Sequence, residues 1–291
     1  MSSIPFDDRD GVIWLDGDYV DWREAKLHVL THSLHYGGAV FEGIRAYGGQ
    51  IFKLTEHSQR LIDSAKAVGY DIPYTLDQID QYTHKTFEKS GFDNAYLRPI
   101  AWRGAEEMGL GANNCKIHLA IAVWEWPSYF PPELIESGLK LKITDWRRPP
   151  KECAPVHAKA SGLYMISTLS KHQAEAAGYN DALMLDYRGR VAECSGANIF
   201  FVYGKDIITP QPDCFLDGIT KKTVTDIARE RGYKVSEDVI MPKDIIEADE
   251  VFVTGTAYEV LPIGTIDDKT YPVGPVTKDL RQTYLETVGA V

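Results

Sequence analysis

The chain has 291 residues, 44% hydrophobic and 25% charged, with a formal net charge of −11. This length exceeds what one hydrophobic core usually spans, so we expect two domains. The negative charge argues against a general nucleic-acid or anionic-membrane surface, and the apolar stretches are too short to cross a bilayer. The first residues lack the basic and apolar regions of a secretory signal, so a cytoplasmic protein is expected.

Cysteine and histidine spacing predicts neither a disulfide framework nor a metal site. The chain has four scattered cysteines and no C-x-x-C pair: Cys115, Cys153, Cys194 and Cys214. Its histidines form no H-E-x-x-H pattern. For those near the motifs below, a structural role is favoured over catalysis: His32, His35 and His57.

The first part of the chain predicts an α+β domain over residues 1–125. Residues 12–20 predict a hairpin that turns at Asp16-Gly17. Apolar residues recur at helical spacing before a glycine stop at Gly69. The further predicted elements are helices over 54–69 and 76–89 and strands over 95–102 and 117–124.

A proline-rich stretch, W-P-S-Y-F-P-P at 126–132, suits neither a helix nor a central strand. We therefore predict an interdomain loop over 126–136 and a second domain over 137–291. That domain opens with a half-buried strand at 139–144. Its further predicted elements are a helix over 163–178, a hairpin over 181–194, a helix over 219–230 that ends before Gly232, and a strand over 250–254.

A lysine among small residues and a carboxylate on a strand-like segment form the first candidate site. Lys159 lies in H-A-K-A-S-G-L-Y, and Glu193 lies in V-A-E-C-S-G-A-N-I-F-F-V. A pyridoxal phosphate (PLP) enzyme needs such a pair, because the lysine joins the cofactor aldehyde as a Schiff base and the acid keeps the pyridinium nitrogen protonated. A single lysine is more often a solvated surface charge, and a single strand glutamate an edge charge. The small, uncharged neighbours of Lys159 favour the cofactor.

Two later segments are candidate phosphate cradles. Gly218, Ile219 and Thr220 lie where a helix is predicted to begin, and helix N-termini offer free N–H donors to anions. Thr256 follows an apolar strand and adds a hydroxyl and an amide. An ordinary helix start explains the first segment equally well when it is taken by itself.

Seven segments occurring in order resemble the class IV (fold-type IV) aminotransferases, most closely the branched-chain amino acid aminotransferases. They are H-S-L-H-Y-G-G-A-V-F-E-G-I-R at 32–45, H-S-Q-R-L at 57–61, Y-L-R-P at 96–99, A-K-A-S-G-L-Y at 158–164, A-E-C-S-G-A-N-I-F at 192–200, L-D-G-I-T at 216–220 and G-T-A-Y-E-V at 255–260. The resemblance implies a two-domain fold like that of D-amino acid aminotransferase. Its smaller lobe is α/β, and its larger lobe has a β-barrel-like core.

The same resemblance implies the cofactor site. PLP would be bound through the catalytic Lys159, with Arg60 on its phosphate, Tyr164 on its phenolic oxygen and Glu193 on its ring nitrogen. The other residues implied at the cofactor are Asn198, Leu216, Gly218, Ile219, Thr220 and Thr256.

The resemblance also implies substrates: L-Leu, L-Ile or L-Val as amino donor and 2-oxoglutarate as acceptor. The apolar side chain would meet Phe41, Gly43 and Tyr164, and the γ-carboxylate of glutamate would meet Arg98. The other residues implied at the substrate are Tyr36, Tyr96, Leu110, Trp126, Tyr129, Thr256 and Ala257. Tyr36 and Leu110 would come from a neighbouring subunit, so a homodimer or higher homo-oligomer completes the site.

Related activities remain open at this point. D-amino acid and (R)-amine transaminases and aminodeoxychorismate lyase share the lysine, the acid and the phosphate loops. Y-L-R-P together with F-E-G-I-R favours the branched-chain subgroup. M-G-L at 108–110, where the family often has M-G-V, leaves the substrate preference open. A catalytically silent PLP-binding protein is the alternative from another class, and the set Lys159, Tyr164 and Glu193 argues against it.

Overall fold

The computed structural model describes residues 4–126 and 130–291. The chain packs as two compact units, Met1–Pro127 with Ala158–Gly162, and Ser128–His157 with Leu163–Val291. Within the described ranges, no helix has both the length and the apolar character needed to cross a membrane.

The first unit is built on a seven-stranded antiparallel sheet. Its strands are β1 (Val12–Leu15), β2 (Asp18–Asp21), β3 (Val40–Phe41), β4 (Ile44–Tyr47), β5 (Gln50–Ile51), β6 (Ala95–Arg103) and β7 (Ile117–Glu125). They run in the order β2-β1-β7-β6-β4-β5, with β3 also on β6. The helices are α1 (His32–Tyr36), α2 (Leu54–Ala67) and α3 (Leu76–Ser90). The hairpin, the two long helices and the two long strands predicted here are confirmed.

Local sequence signals explain these boundaries. Asp16 and Gly17 both have positive φ, as the tight turn between β1 and β2 requires. Gly69, at φ +87°, follows the last turn of α2. A capping box between Thr75 and Gln78 begins α3.

The long pair β6–β7 carries both the core and the site of this unit. Successive side chains of a strand point to opposite faces. Leu97 and Ala101 of β6 are fully buried apolar residues. Tyr96 and Arg98 occupy the alternate positions, so they share the opposite face.

The second unit is built on a nine-stranded mixed sheet. Its strands are β8 (Leu139–Arg148), β9 (Asp181–Asp186), β10 (Val191–Cys194), β11 (Asn198–Tyr203), β12 (Asp206–Pro210), β13 (Lys234–Asp238), β14 (Glu250–Gly255), β15 (Glu259–Ile266) and β16 (Lys269–Thr270). The order is β10-β9-β8-β15-β14-β11-β12-β13, with β16 on β15. The helices are α4 (Pro132–Ser137), α5 (Tyr164–Ala176), α6 (Ile219–Glu230) and α7 (Pro275–Thr287).

The ends of this sheet curl toward each other. The Val191 amide on β10 donates to the Ile240 carbonyl, just beyond β13, at 2.8 Å. The Cys194 amide also donates to the Ala197 carbonyl, just before β11, at 2.8 Å. These bonds confirm the β-barrel-like core, which is filled by buried side chains such as Leu141, Phe201 and Val253.

Short elements account for most differences from the sequence predictions. The strands β3, β5 and β16 have two residues each and are too short to show a period. The helix α4 occupies the end of the stretch expected to be a loop. It begins at Pro132, a position where the missing N–H of proline costs no helical hydrogen bond.

Candidate active site

The segment that carries Lys159 is held like an additional strand in the first unit. Val40 and Ala160 form an antiparallel bridge, and the Phe41 amide donates to the Lys159 carbonyl at 3.1 Å. On α2, the Ser64 hydroxyl accepts from the Lys159 amide at 3.0 Å. These bonds fix the backbone of Lys159, so the side chain extends from a rigid base.

The small residues after Lys159 allow two backbone segments to approach closely. The Gly162 amide donates to the Gly37 carbonyl at 3.0 Å. A Cβ added at Gly37 would lie 2.9 Å from the Gly162 Cα, and the φ of +65° at Gly37 also favours glycine. Packing and backbone conformation therefore both require glycine at position 37.

The Lys159 side chain is half-buried. Its Nζ lies 5.2 Å from the centre of the Phe41 ring, within the range of a cation–π contact. Its charge is also among the influences that lower the pKa of His57. The amine therefore lies beside an aromatic wall and near a buried imidazole.

A buried acid on the F-E-G-I-R segment holds two side chains of α2. Glu42 accepts from Arg60 through Nε at 2.7 Å and Nη2 at 2.8 Å. The Nδ1 of His57 lies 2.7 Å from the same carboxylate. Burial would raise the pKa of Glu42, but Arg60 and His57 hold it well below its usual range. Glu42 is thus ionised, and an ionised carboxylate only accepts, so His57 carries its proton on Nδ1.

A second group of candidate residues shares the face of β6 beside Phe41. The Arg98 guanidinium lies 4.8 Å from the Phe41 ring centre and 5.4 Å from that of Tyr96. Trp126 packs on Tyr96 with ring centres 4.9 Å apart. A Cβ at Gly43 would lie 2.0 Å from the Tyr96 hydroxyl oxygen. The glycine is therefore what admits that hydroxyl.

Tyr36 and Leu110, the residues expected to serve a neighbouring subunit, are exposed by 44% and 85%. His32 Nε2 lies 2.9 Å from the Gly109 carbonyl oxygen and ties the loop before Leu110 to α1. Further exposed apolar residues lie in the two segments that carry Tyr36 and Leu110, residues 27–36 and 108–110: Leu27, Val29, Leu30, Leu34 and Met108. We call this set, with Tyr36 and Leu110, the apolar patch.

In the second unit, Glu193 lies on the return strand β10, as predicted, and is buried. Arg148 at the end of β8 places Nε 3.4 Å from the Glu193 carboxylate. Arg148 is itself buried and also donates to the Cys214 carbonyl at 3.4 Å. The arginine keeps a compensating charge beside the acid.

Asn198 fixes the loop that leads into α6. Its Nδ2 donates to the Leu216 carbonyl at 3.0 Å, and its Oδ1 accepts from the Gly218 amide at 3.2 Å. The helix begins directly after Gly218, with Ile219 and Thr220 buried in its first turn. One strand-end side chain therefore positions the helix N-terminus.

A second loop, Gly255–Tyr258, begins beside Asn198, the residue that fixes the loop before α6. Asn198 and Thr254 are paired across β11 and β14, so the loop that carries Thr256 and Ala257 starts at the same sheet edge. Asp181 accepts from the Tyr258 hydroxyl at 2.7 Å and from the Ser195 hydroxyl. It thereby ties this loop to the turn that follows Glu193.

Tyr164 is the first residue of α5 and is half-buried. Tyr129 lies outside the described residues.

The comparisons with known proteins agree on one family. The sequence model described as "Amino-transferase class IV" matches residues 39–266. The chain belongs to the class IV aminotransferases.

Curated relatives of this class IV aminotransferase include branched-chain-amino-acid aminotransferases. The one from Pseudomonas aeruginosa is 42% identical over 97% of this chain and 94% of its own length. The one from Escherichia coli K12 is 35% identical over 94% and 91%.

Solved structures match the fold closely. A crystal structure of the T.th. branched-chain amino acid aminotransferase with pyridoxamine 5'-phosphate gives a TM-score of 0.94 at 39% identity, covering 97% of this chain and 96% of that one. An aminotransferase from Brucella abortus bound to the cofactor PLP gives 0.85 at 32% identity, covering 96% and 100%.

The second unit has the features that a phosphorylated cofactor needs. Gly218, the N-cap of α6, has no side chain to bind the amides of the first turn, so those amides suit an anion. A Cβ added at Gly218 would lie 2.3 Å from Asn198 Oδ1, so this close approach at the start of α6 requires glycine. The Thr254 hydroxyl is buried and has no hydrogen-bond partner within the described ranges. These residues fit a phosphate group.

The structure groups the sequence-derived candidates by unit. The first unit brings together Lys159, Arg60, Phe41, Gly43, Tyr96, Arg98 and Trp126, and the second brings together Asn198, Leu216, Gly218, Ile219 and Thr220. Sequence reasoning missed three charged residues that support the candidates. Glu42 binds Arg60, Arg148 lies beside Glu193, and Asp181 anchors Tyr258 in the loop of Thr256 and Ala257. Glu42 stood inside a recognised motif, whereas the other two carried no sequence signal.

Proposed function

We propose that this class IV aminotransferase is a PLP-dependent branched-chain amino acid transaminase. It moves the amino group between L-Leu, L-Ile or L-Val and 2-oxoglutarate. The observation that carries the substrate assignment is the wall formed by Phe41, Tyr96 and Arg98, where a guanidinium lies on two aromatic rings. Such a wall suits both an apolar side chain and the second carboxylate of glutamate, which a transaminase of this type must accept in turn.

Lys159 is the catalytic residue in this proposal. When bound, PLP supplies an aldehyde that condenses with amines and a ring that accepts the electrons released at the substrate Cα. Lys159 Nζ would hold the cofactor, and its free amine would take the proton from the substrate Cα and return it to the cofactor. Glu193 would hold the proton on the pyridine nitrogen, and Arg148 beside it would keep that acid oriented.

The phosphate would be bound by Arg60, by the first amides of α6 at Gly218, Ile219 and Thr220, and by Thr256. Tyr164 would donate to the phenolic oxygen of the cofactor. Asn198 and Leu216 would act at the ring side, and Asn198 already fixes the loop before α6 in this chain.

For the substrate, Phe41, Gly43 and Tyr164 would line the apolar pocket. Arg98 with Tyr96 and Tyr36 would bind the γ-carboxylate, and the Thr256 and Ala257 amides would bind the α-carboxylate. Leu110, Trp126 and Tyr129 would shield the bound substrate from water.

We further propose a homodimer formed through the apolar patch. Clusters of exposed apolar residues mark interaction sites. Within the apolar patch, Leu110 and Tyr36 are the residues expected at the neighbouring active site. The four described cysteines are all unpaired, which favours a reducing, cytoplasmic location.

The activity is tested with purified protein and a panel of donors and acceptors. L-Leu with 2-oxoglutarate should be the productive pair, while D-Ala and (R)-1-phenylethylamine should give little turnover. The Lys159→Ala variant should lose turnover and the visible absorbance of bound cofactor. Retention of most activity in that variant would disprove the assignment.

The dimer is tested by mixing two inactive variants. Lys159→Ala and Tyr36→Ala homodimers should both be impaired, but their heterodimer contains one site with both residues intact. After subunit exchange, activity should recover to about a quarter of the wild-type value. No recovery, with exchange verified by a tag on one variant, would mean that Tyr36 acts within its own subunit.

A further inference from the structure

The buried carboxylate of Glu42 occupies an unusual position in the first unit. Glu42 is fully buried, and the side chain of Arg60, which it binds, is only 16% exposed. It accepts two parallel bonds from Arg60, at 2.7 and 2.8 Å, and a third from His57 at 2.7 Å. Bidentate pairs of this kind fix the plane of a guanidinium as well as its charge.

The two partners of Glu42 lie on one face of α2. His57 and Arg60 are three residues apart, so they are neighbours on the helix surface. Glu42 itself follows Phe41, whose amide binds the Lys159 carbonyl. The carboxylate therefore connects the helix that carries Arg60 to the strand beside the lysine.

The charge state of this group is well defined. The partners of Glu42 keep its pKa well below the usual range despite burial. Burial lowers the pKa of His57, although Glu42 opposes this, so the imidazole is neutral at neutral pH. With Glu42 negative and Arg60 positive, the three side chains carry no net charge. Any contribution of Arg60 to anion binding then depends on the direction of its N–H groups more than on excess charge.

We infer that Glu42, supported by His57, is a positioning residue for phosphate binding: it holds the Arg60 guanidinium in one orientation through a bidentate ion pair. The inference rests on the proposed function, in which Arg60 binds the cofactor phosphate. An arginine on a flexible stem loses rotamer freedom when it binds a ligand, and a partner that fixes it beforehand removes that cost. His57 in turn orients the carboxylate.

The test compares two probes that differ only in the phosphate, PLP and pyridoxal, on the full-length protein. Binding is followed by the visible absorbance of the bound cofactor. Arg60→Met defines the full effect of losing the guanidinium. Glu42→Gln keeps the size of the side chain but removes one of the two acceptors, so it should weaken PLP binding about tenfold and change pyridoxal binding less than about twofold. We call the association constant for PLP divided by that for pyridoxal the PLP-to-pyridoxal ratio. His57→Gln should lower this ratio as Glu42→Gln does, but by a smaller factor.

Two further variants separate positioning from folding. Glu42→Asp keeps the negative charge but shortens the side chain, so it should lower the PLP-to-pyridoxal ratio even if Glu42→Gln folds poorly. The matched control is Glu250→Gln, another buried acid, whose carboxylate accepts from the Val276 and Thr277 amides at 3.0 and 2.8 Å. That control should lower thermal stability and leave the ratio unchanged.

The Arg60→Met background decides the mechanism. If Glu42 acts through Arg60, Glu42→Gln should not lower the ratio further in that background. A further loss there, or an equal loss of PLP and pyridoxal binding in the single variants, would overturn the inference. Should Arg60→Met change the ratio while both Glu42 variants leave it intact, only the inference fails. If Arg60→Met leaves the ratio unchanged, the assigned role of Arg60 in the proposed function is the part that is wrong.

Discussion

The side-chain amide of Asn198 and the backbone of Gly218 are in close contact at the start of α6. Asn198 Oδ1 accepts from the Gly218 amide at 3.2 Å, and an added Cβ at Gly218 would lie 2.3 Å from the same oxygen. The backbone of Gly218, at φ −66° and ψ 140°, is allowed for any residue. Contact with Asn198, not backbone strain, is therefore what requires glycine here.

The first prediction is that Gly218→Ala weakens cofactor binding. The new methyl group must push Asn198 away, which releases the loop before α6 and costs about 1–3 kcal/mol. If all of that cost falls on the PLP-bound state, PLP binding weakens about fivefold to 150-fold. Spectroscopic titration with PLP measures the effect. Gly111→Ala is the control, since its Cβ would meet nothing within 4 Å, and unchanged PLP binding in Gly218→Ala would contradict the role of this contact.

The second prediction concerns Gly43 and substrate binding. A Cβ at Gly43 would lie 2.0 Å from the Tyr96 hydroxyl oxygen and 2.8 Å from its Cζ, so Gly43→Ala must displace the ring. We expect KM to rise for both donor and acceptor, while the absorbance of bound PLP stays as in the wild type. In the Tyr96→Phe background, Gly43→Ala should raise KM by a smaller factor, because the Tyr96 hydroxyl oxygen that it would contact is absent. An equal rise in KM in both backgrounds would show that the added methyl group does not act through the Tyr96 hydroxyl.

Local signals explain why much of the fold could be predicted from the sequence. The helix α6 has the predicted bounds, 219–230, because an amphipathic repeat lies between a glycine start and Gly232 at φ +84°. The pairing of Ala160 with Val40 could not be predicted in this way. It joins positions far apart in sequence, and neither the two-residue strand β3 nor the lysine segment shows a period.

The same distinction applies to the candidate site. Lys159 was singled out by its small, uncharged neighbours and Glu193 by its place on a strand-like segment, and the motifs pointed to Arg60. The bond from Arg60 to Glu42 was not predicted, because both residues stood in motifs whose mutual contact depends on how α2 packs on β3. Arg148 and Asp181 were missed because one buried charge among many carries no sequence signal until its partner is known.

The third prediction is a loss of stability in mild acid that depends on His57. The buried imidazole has a pKa below its ordinary value near 6.5. As the pH falls below about 6.5, His57 becomes protonated in the unfolded chain but stays neutral in the folded chain. The free energy of unfolding therefore decreases, by at most about 1.4 kcal/mol per pH unit. Glu42, whose pKa is also lowered, adds a loss of the same sign at lower pH. The charged groups around His57 are Glu42, Arg60 and Lys159.

This acid dependence is measured as the change in Tm between about pH 7.5 and about pH 5.5. His57→Gln should make the change smaller, because glutamine takes up no proton in either state. His84→Gln, at an exposed position of α3, should leave it as in the wild type. An identical change in all three proteins would show that His57 does not titrate differently on folding.

The fourth prediction concerns the tie between Tyr258 and Asp181. Tyr258→Phe removes the donor at 2.7 Å and loosens the loop that carries Thr256 and Ala257. We expect a destabilisation of about 1 kcal/mol and a higher KM for amino acids, since these amides are proposed to bind the α-carboxylate. Tyr271→Phe is the matched control, because its buried hydroxyl donates to the Ile245 carbonyl at 3.1 Å. If both variants raise KM equally, the effect reflects general loosening of the unit.

The fifth prediction is that Arg98 selects the dicarboxylate acceptor. Its guanidinium stacks on Phe41 and Tyr96, and a lysine ammonium cannot reproduce a planar group that stacks and binds a carboxylate through two bonds. Arg98→Lys should therefore lower kcat/KM for 2-oxoglutarate by about tenfold or more and that for L-Leu much less, because L-Leu has no second carboxylate. Arg103→Lys provides the comparison. The Arg103 guanidinium carbon, Cζ, lies 4.8 Å from the Tyr70 ring centre, and the same group donates to the Gly69 carbonyl at 2.8 Å. Arg103→Lys should reduce stability and leave the ratio of the two kcat/KM values unaltered. If Arg98→Lys lowered kcat/KM equally for 2-oxoglutarate and L-Leu, the γ-carboxylate would be bound by another residue.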